Sequence, residues 1–255
     1  FMSAAARADS RLAVSDLPPA VLSCQRDTAG TFAFEYRGIY SPSNADADLM
    51  PILGVHNVDF DWGLWGHNIN KVFGGNVPDK ARALVGGHRS DSQWCFSSDE
   101  LYRAYERYII DNYGDGTADA PTRFSVMPND NDEVCQCPDC RAAGNTPTSA
   151  TPAVTRMVKR LSRRFPHQLF FTSAYATTQT PPTHRLPANV GVLVSAMDLP
   201  LVADEDDKAA AAKTAKAKAR FGQTIQAWQR STDRVYVWDY LRNVDDYLTP
   251  YPCLH

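Results

Sequence analysis

The chain has 255 residues and a formal net charge of −3, from 26 Lys+Arg against 29 Asp+Glu. With 44% apolar and 22% charged residues, disordered, collagen-like and coiled-coil chains are excluded, and a globular core of one or two domains is expected. The mild acidity gives no support to nucleic-acid binding, which usually shows a clustered basic face, and the longest apolar run, Val190 to Met197, is far shorter than the ~18 residues of a membrane helix.

Residues 1–30 lack periodicity and contain Pro18-Pro19, so they read as an entry segment. Residues 31–255 are expected to form a single α/β domain. Thr31 to Tyr40 is rich in β-formers and predicts a strand, and Val58 to Ile69 predicts a second strand running into a loop. Ser97-Ser-Asp-Glu100 fits a capping box. Leu101, Tyr105, Tyr108 and Ile109 then share one helical face, and Gly114-Asp-Gly116 ends that helix.

Thr122 to Met127 predicts a strand leading into Pro128-Asn-Asp-Asn-Asp132. Thr151-Pro152 predicts an N-cap with proline in the first turn, followed by a stripe of Val154, Met157, Val158, Leu161 and Phe165 that stops at Pro166. Leu169 to Ala174 and Val190 to Ala196 are continuous apolar runs, as in strands covered on both faces. Asp204 to Arg230 predicts one long helix, acidic at its start and basic further along, read as a solvated surface helix. Arg234 to Tyr240 predicts the last strand. Strands alternating with helices argue for parallel βαβ units, and hence for a (β/α)8 TIM-type barrel of which about six strands are recognisable.

In such folds ligands bind at the carboxyl ends of the strands, where this sequence is polar. Asn129, Asp130 and Asp132 follow one strand, Tyr175 another and Asp198 a third, while Trp238, Asp239 and Tyr240 close the last. Earlier segments add Glu35, Arg37, Trp65, His67 and Asn68. Carboxylates among aromatics suit glycoside chemistry, which needs one carboxyl to protonate the leaving oxygen and another as base or nucleophile. Trp65, Trp238 and Tyr175 offer stacking faces, and Arg37 and His67 offer charge-assisted hydrogen bonds to the carboxylate of a uronic acid. The Asn-Asp-Asn-Asp run also reads as a plain turn closed by its own side chains.

Six cysteines are present, three of them packed into Cys135-Gln-Cys137-Pro-Asp-Cys140. Two readings stand side by side. In one, Cys135, Cys137 and Cys140 bind a structural Zn²⁺ with Cys95 as fourth ligand. In the other, Cys95 and the loop cysteines form disulfides. Free thiols are a third outcome, and a redox Cys-x-x-Cys lacks its strand-to-helix setting.

Glu35-Tyr-Arg37, Gly66-His-Asn68, Ala83-Leu-Val-Gly-Gly-His-Arg89 with Gln93-Trp-Cys95, Pro128-Asn-Asp130 and the cysteine cluster occur in that order. This series resembles an uncharacterised group of mostly bacterial barrel proteins, known as a domain of unknown function and regarded as akin to α-glucuronidases and other glycoside hydrolases. The resemblance spans about Thr31 to Tyr240. It implies an exported, carbohydrate-active barrel that this chain enters after the first strand and leaves before the eighth, with further segments completing it. By position it implies Asp130 as general acid and Asp239 or Asp198 as base or nucleophile. The expected activity is hydrolysis of an acidic oligo- or polysaccharide, and the alternative is a non-catalytic carbohydrate-binding or structural barrel.

Overall fold

The computed structural model describes residues 32–39, 50, 54–197, 199 and 208–239. They fall into two compact units, Phe1–Asp61 and Trp62–His255. Asp198, Tyr240, Cys24, Cys253 and the entry segment 1–30 lie outside the described residues.

In the first unit, β1 (Gly38–Ile39) pairs in parallel with β2 (His56–Asn57), which leads into a short helix, α1 (Val58–Asp61). The Arg37 guanidinium donates to the carbonyls of Phe34 and Gly54, both at 2.5 Å, and lies over the Phe32 ring. The β-rich run from Thr31 therefore yields a two-residue strand. The expected strand from Val58 begins as a helix turn instead, because Asn57 Oδ1 accepts from the Asp59 amide at 2.8 Å and caps it.

The second unit contains β3 (Trp62–Leu64), β4 (Arg82–Val85), β5 (His88–Trp94), α2 (Asp99–Tyr113), β6 (Arg123–Ser125), α3 (Pro138–Ala143), α4 (Thr151–Arg164), β7 (Leu169–Ala174), β8 (Val190–Ser195), α5 (Lys208–Gln229) and β9 (Arg234–Trp238). Five strands form one wholly parallel sheet in the order β3-β6-β7-β8-β9. Each new strand is added on the same side as the last, without the reversal of a doubly wound sheet. Among the described residues this sheet stays open and does not close into a barrel. The antiparallel pair β4-β5 stands apart from it.

Alternation along the strands sorts the core into two layers. Phe124, Phe170, Val190, Val192 and Val194 belong to the main core, with Leu101, Tyr105 and Ile109 of α2, Val154 and Leu161 of α4, and Trp228 of α5. On the other face Phe171 meets Trp62 and Tyr236, with ring centroids 5.1 Å and 4.7 Å apart. Gly191 is required beside Phe171: a Cβ there would lie 2.3 Å from the Phe171 ring and 2.9 Å from the Arg234 carbonyl.

Helix ends follow local chemistry. Ser98, one residue later than the predicted cap, accepts from the amides of Glu100 and Leu101 at 3.2 and 3.3 Å. The N-cap of α4 is Ala150, one residue before the predicted Thr151, and it has no capping side chain. Asn145 supplies the cap from outside, accepting from the Ala153 amide at 3.0 Å and donating to the Cys135 carbonyl at 3.2 Å. One amide thus ties a helix start to the cysteine loop.

Candidate functional site at the carboxyl edge of the sheet

The carboxyl ends of β3, β6, β7, β8 and β9 meet at an open cleft of about 60 Å³. His67, Asp130, Tyr175, Met197 and Trp238 line it, with Ser173, Leu193 and Ser195 from the sheet face opposite the main core. His67 arrives through Gly66, whose φ of 65° favours glycine. Ser125 donates its hydroxyl to the Gly66 carbonyl at 2.7 Å and fixes this turn to β6. Asn68 donates to the Trp65 carbonyl at 2.6 Å, so it braces the turn.

The aromatic groups form a chain of contacts. Trp65 lies 4.8 Å from Trp238 by ring centroids, and His67 lies 5.8 Å from Trp238 in a stacked arrangement. Trp62, 4.6 Å from Trp65, is buried and belongs to the core. His67 Nδ1 is 2.5 Å from the Pro128 carbonyl. A carbonyl only accepts, so Nδ1 carries the proton and Nε2 is the nitrogen left for a ligand. Ala176, directly after Tyr175, has a φ of 43°, a conformation uncommon outside glycine and often found at functional sites.

Asp130 is exposed and is the one carboxylate among the described residues lining the cleft. Its neighbours on both sides are anchored. Asn129 donates to the Ser92 carbonyl at 2.8 Å and accepts from the Trp94 indole at 2.9 Å. Asn131 donates to the same carbonyl at 2.9 Å and accepts from Gln93 Nε2 at 2.9 Å. Gln93 Oε1 accepts from the Asn129 amide at 3.0 Å. Glu133 accepts from the Ser90 and Ser92 hydroxyls at 2.5 and 2.9 Å. The Asn-Asp-Asn-Asp run is thus a turn, but its side chains clasp the β4-β5 hairpin rather than one another, apart from the Asn131 carbonyl group capping the Glu133 amide at 3.0 Å. Asn129, expected to bind substrate, has its whole amide engaged in this clasp. Asp132 is exposed, and so is Asp239, which follows Trp238 without lining the cleft. Glu35 and Arg37 belong to the first unit.

The cysteines converge as well. The Sγ atoms of Cys95, Cys135, Cys137 and Cys140 lie within 4.8 Å of one another, and all four residues are buried. The Cys95 sulfur is 3.6 Å from Cys137 and 3.8 Å from Cys140. These lengths far exceed a disulfide bond of about 2.05 Å, and all four cysteines are free, so the expected disulfide alternative is not what forms here. Four convergent thiols can hold one metal ion.

Backbone amides donate to two of the sulfurs. The Leu84 amide donates to Cys135 Sγ at 3.2 Å and the Cys140 amide to Cys137 Sγ at 3.4 Å. Thiol donation from Cys140 and Cys95, joined by the Cys137 and Leu84 amides, holds the Cys135 thiol far below its ordinary range against the opposing effect of burial. Its bonds to Cys135 and Cys140, with burial, push the Cys95 thiol far up.

Sequence reasoning missed Gln93, Ser92 and Ser90, because their role arises across some 36 to 43 residues of chain. Ser173 and Ser195 had a readable signal, since each is a polar residue at the carboxyl end of an apolar strand. No curated protein and no solved structure matches the chain. A family model described as Domain of unknown function (DUF4838) matches residues 69–255, and the chain belongs to that family.

Proposed function

We propose that the protein is carbohydrate-active and glycoside-hydrolase-like, with Asp130 as general acid toward an acidic, uronic-acid-bearing glycan. The observation that carries this reading is the meeting of Asp130, His67, Tyr175 and Trp238 at one cleft on the carboxyl edge of a parallel sheet. The volume of about 60 Å³ lies well under the ~300 Å³ of an enclosing pocket. Such a shelf suits a sugar laid across the surface, with a pyranose face stacked on Trp238 or Tyr175 and His67 Nε2 bonded to a hydroxyl or carboxylate. Asp239 and Asp198, after β9 and β8, are the candidates for the second carboxylate, at a separation of ~5–5.5 Å for retention or ~6.5–9.5 Å for inversion.

The strand order supports reading the sheet as part of a (β/α)8 barrel, with the cleft serines on the face that closure would enclose. We further assign Zn²⁺ as the ion of the cysteine cluster. A tetrahedron with zinc–sulfur bonds of about 2.3 Å has sulfur–sulfur edges of about 3.8 Å, close to the 3.6 and 3.8 Å distances from Cys95. Four protein ligands leave no open position, so this zinc supplies structure and not Lewis-acid chemistry.

Hydrolysis of uronate-bearing and neutral oligosaccharides by the wild type and Asp130→Asn, side by side, tests the function. Loss of ~10²-fold or more in the variant supports general-acid catalysis, and equal turnover by both removes Asp130 from the chemistry. The exposure of Asp130, alone as a carboxylate on the described cleft, favours a second reading: a non-catalytic carbohydrate-binding protein, which predicts bound sugar without turnover.

A further inference from the structure

Beside the cleft lies a second, larger cavity of about 450 Å³, within the range of small-ligand sites. Its outer wall is α5. Lys213, Lys216 and Arg220 stand there at spacings of three and four residues, hence on one helical face. The opposite wall is the turn after β7, with Gln179. This wall is fixed to the helix: Gln179 Nε2 donates to Thr224 Oγ1 at 3.0 Å, and the Trp228 indole donates to the Gln179 carbonyl at 3.1 Å.

Among the described residues no carboxylate lines this cavity, and no ion pair engages the three cations. Tyr175 and Ser195 line both the cavity and the cleft that holds Asp130. The two spaces therefore adjoin.

We propose that this cavity is an anion subsite. It receives an oxyanion carried on a sugar, carboxylate or sulfate, while a neighbouring ring of the same glycan lies in the cleft. Arg220 offers the planar fork suited to such a group, and the two lysines offer point charges around it. The ligand class rests on the carbohydrate reading above; the preference for negative charge does not.

The test is calorimetric binding at low salt to the full chain. The protein forms are the wild type, a Lys213→Ala/Lys216→Ala/Arg220→Ala variant, and Lys218→Ala as a control outside the cavity. The probes are a galacturonate tetrasaccharide, a sulfated galactan tetrasaccharide, a neutral galactan tetrasaccharide and inorganic sulfate. All three substituted side chains are exposed on a helix, and alanine is the best helix former, so the fold is retained; circular dichroism verifies this. The expected result is binding of one or both charged tetrasaccharides, weakened at least tenfold in the triple variant and unchanged in Lys218→Ala, with any neutral binding unaffected. Whether galacturonate or sulfated galactan binds more tightly identifies the oxyanion. Charged and neutral tetrasaccharides binding alike, with no loss in the triple variant, overturn the subsite and leave the carbohydrate reading standing. Inorganic sulfate bound through these residues with no tetrasaccharide bound overturns the sugar ligand and with it the carbohydrate reading. Absence of all binding overturns both.

Discussion

Trp94 donates its indole N–H to Asn129 Oδ1 at 2.9 Å, and the next residue in sequence is Cys95 after the first and Asp130 after the second. The cysteine cluster and the proposed acid are therefore linked through adjacent, hydrogen-bonded residues. The segment from Pro128 to Cys135 is held by Gln93, Ser92 and Ser90 along its length and by the cluster at its end, where the Gln136 amide also donates to the Leu84 carbonyl at 2.8 Å. The backbone that carries Asp130 is thus anchored on both sides, as the proposed acid role requires.

Gln93→Leu is expected to loosen this segment. Gln93 is 3% exposed and bonds to Asn129 and Asn131 through both ends of its amide. Its loss leaves half-buried partners unsatisfied and is expected to cost about 1–2 kcal/mol. Urea denaturation measures the cost, and faster amide exchange at Asn129 locates it. A cost near zero contradicts the role given to Gln93.

Gly191→Ala is expected to destabilise the sheet by about 1–3 kcal/mol, as overpacking does. The new methyl group would meet the Phe171 ring at 2.3 Å and the Arg234 carbonyl at 2.9 Å. Phe171→Leu in the Gly191→Ala background relieves the first contact and should recover part of the loss, so a double-mutant cycle read by chemical denaturation should show strong coupling. Simple additivity contradicts the packing described.

Tyr105 is fully buried between α2 and the sheet and donates to the Ser125 carbonyl at 3.0 Å. Burial, and secondarily Tyr108, push its phenol well above the ordinary value. The unfolded chain loses this proton near pH 10, while the folded protein retains it. Stability from this group is thus complete below about pH 10 and falls as pH rises beyond it. Denaturant unfolding from pH 8 to 11 should show that decline, and Tyr105→Phe should make it shallower while losing about 1 kcal/mol at neutral pH with its hydrogen bond. Identical alkaline slopes contradict the assignment.

The elements most legible in the sequence were those whose apolar pattern is dictated by burial. β7 coincides with its predicted run, and β8 and α4 differ from theirs by one or two residues at an end. α5 is described from Lys208, and the acidic start at Asp204 to Asp207 lies outside the described residues. The β4-β5 hairpin was missed because β5 is largely exposed and its sequence, HRSDSQW, lacks apolar alternation. Its turn did carry a signal, since Gly86 and Gly87 have φ of 56° and 87° and two adjacent glycines suit a tight hairpin. At the site, Asp130 and Trp238 were legible because strand ends are. The clasp on Asn129 and Asn131 was not, because side-chain amides carry no periodicity. Cys95 was legible as the fourth sulfur only through its place before α2. That place brings it to α3, which starts at Pro138 with Cys137 as its cap.

The central claim is that four sulfurs hold one zinc and thereby fix the segment bearing Asp130. X-ray absorption at the zinc edge, on protein whose metal content has been measured, tests it most directly. The account predicts one zinc per chain, a shell of four sulfurs at about 2.3 Å, and a melting temperature that falls on the order of 10 °C or more when the ion is removed by chelation. Nitrogen or oxygen in the shell, or a metal-free protein that melts at the same temperature, would contradict it.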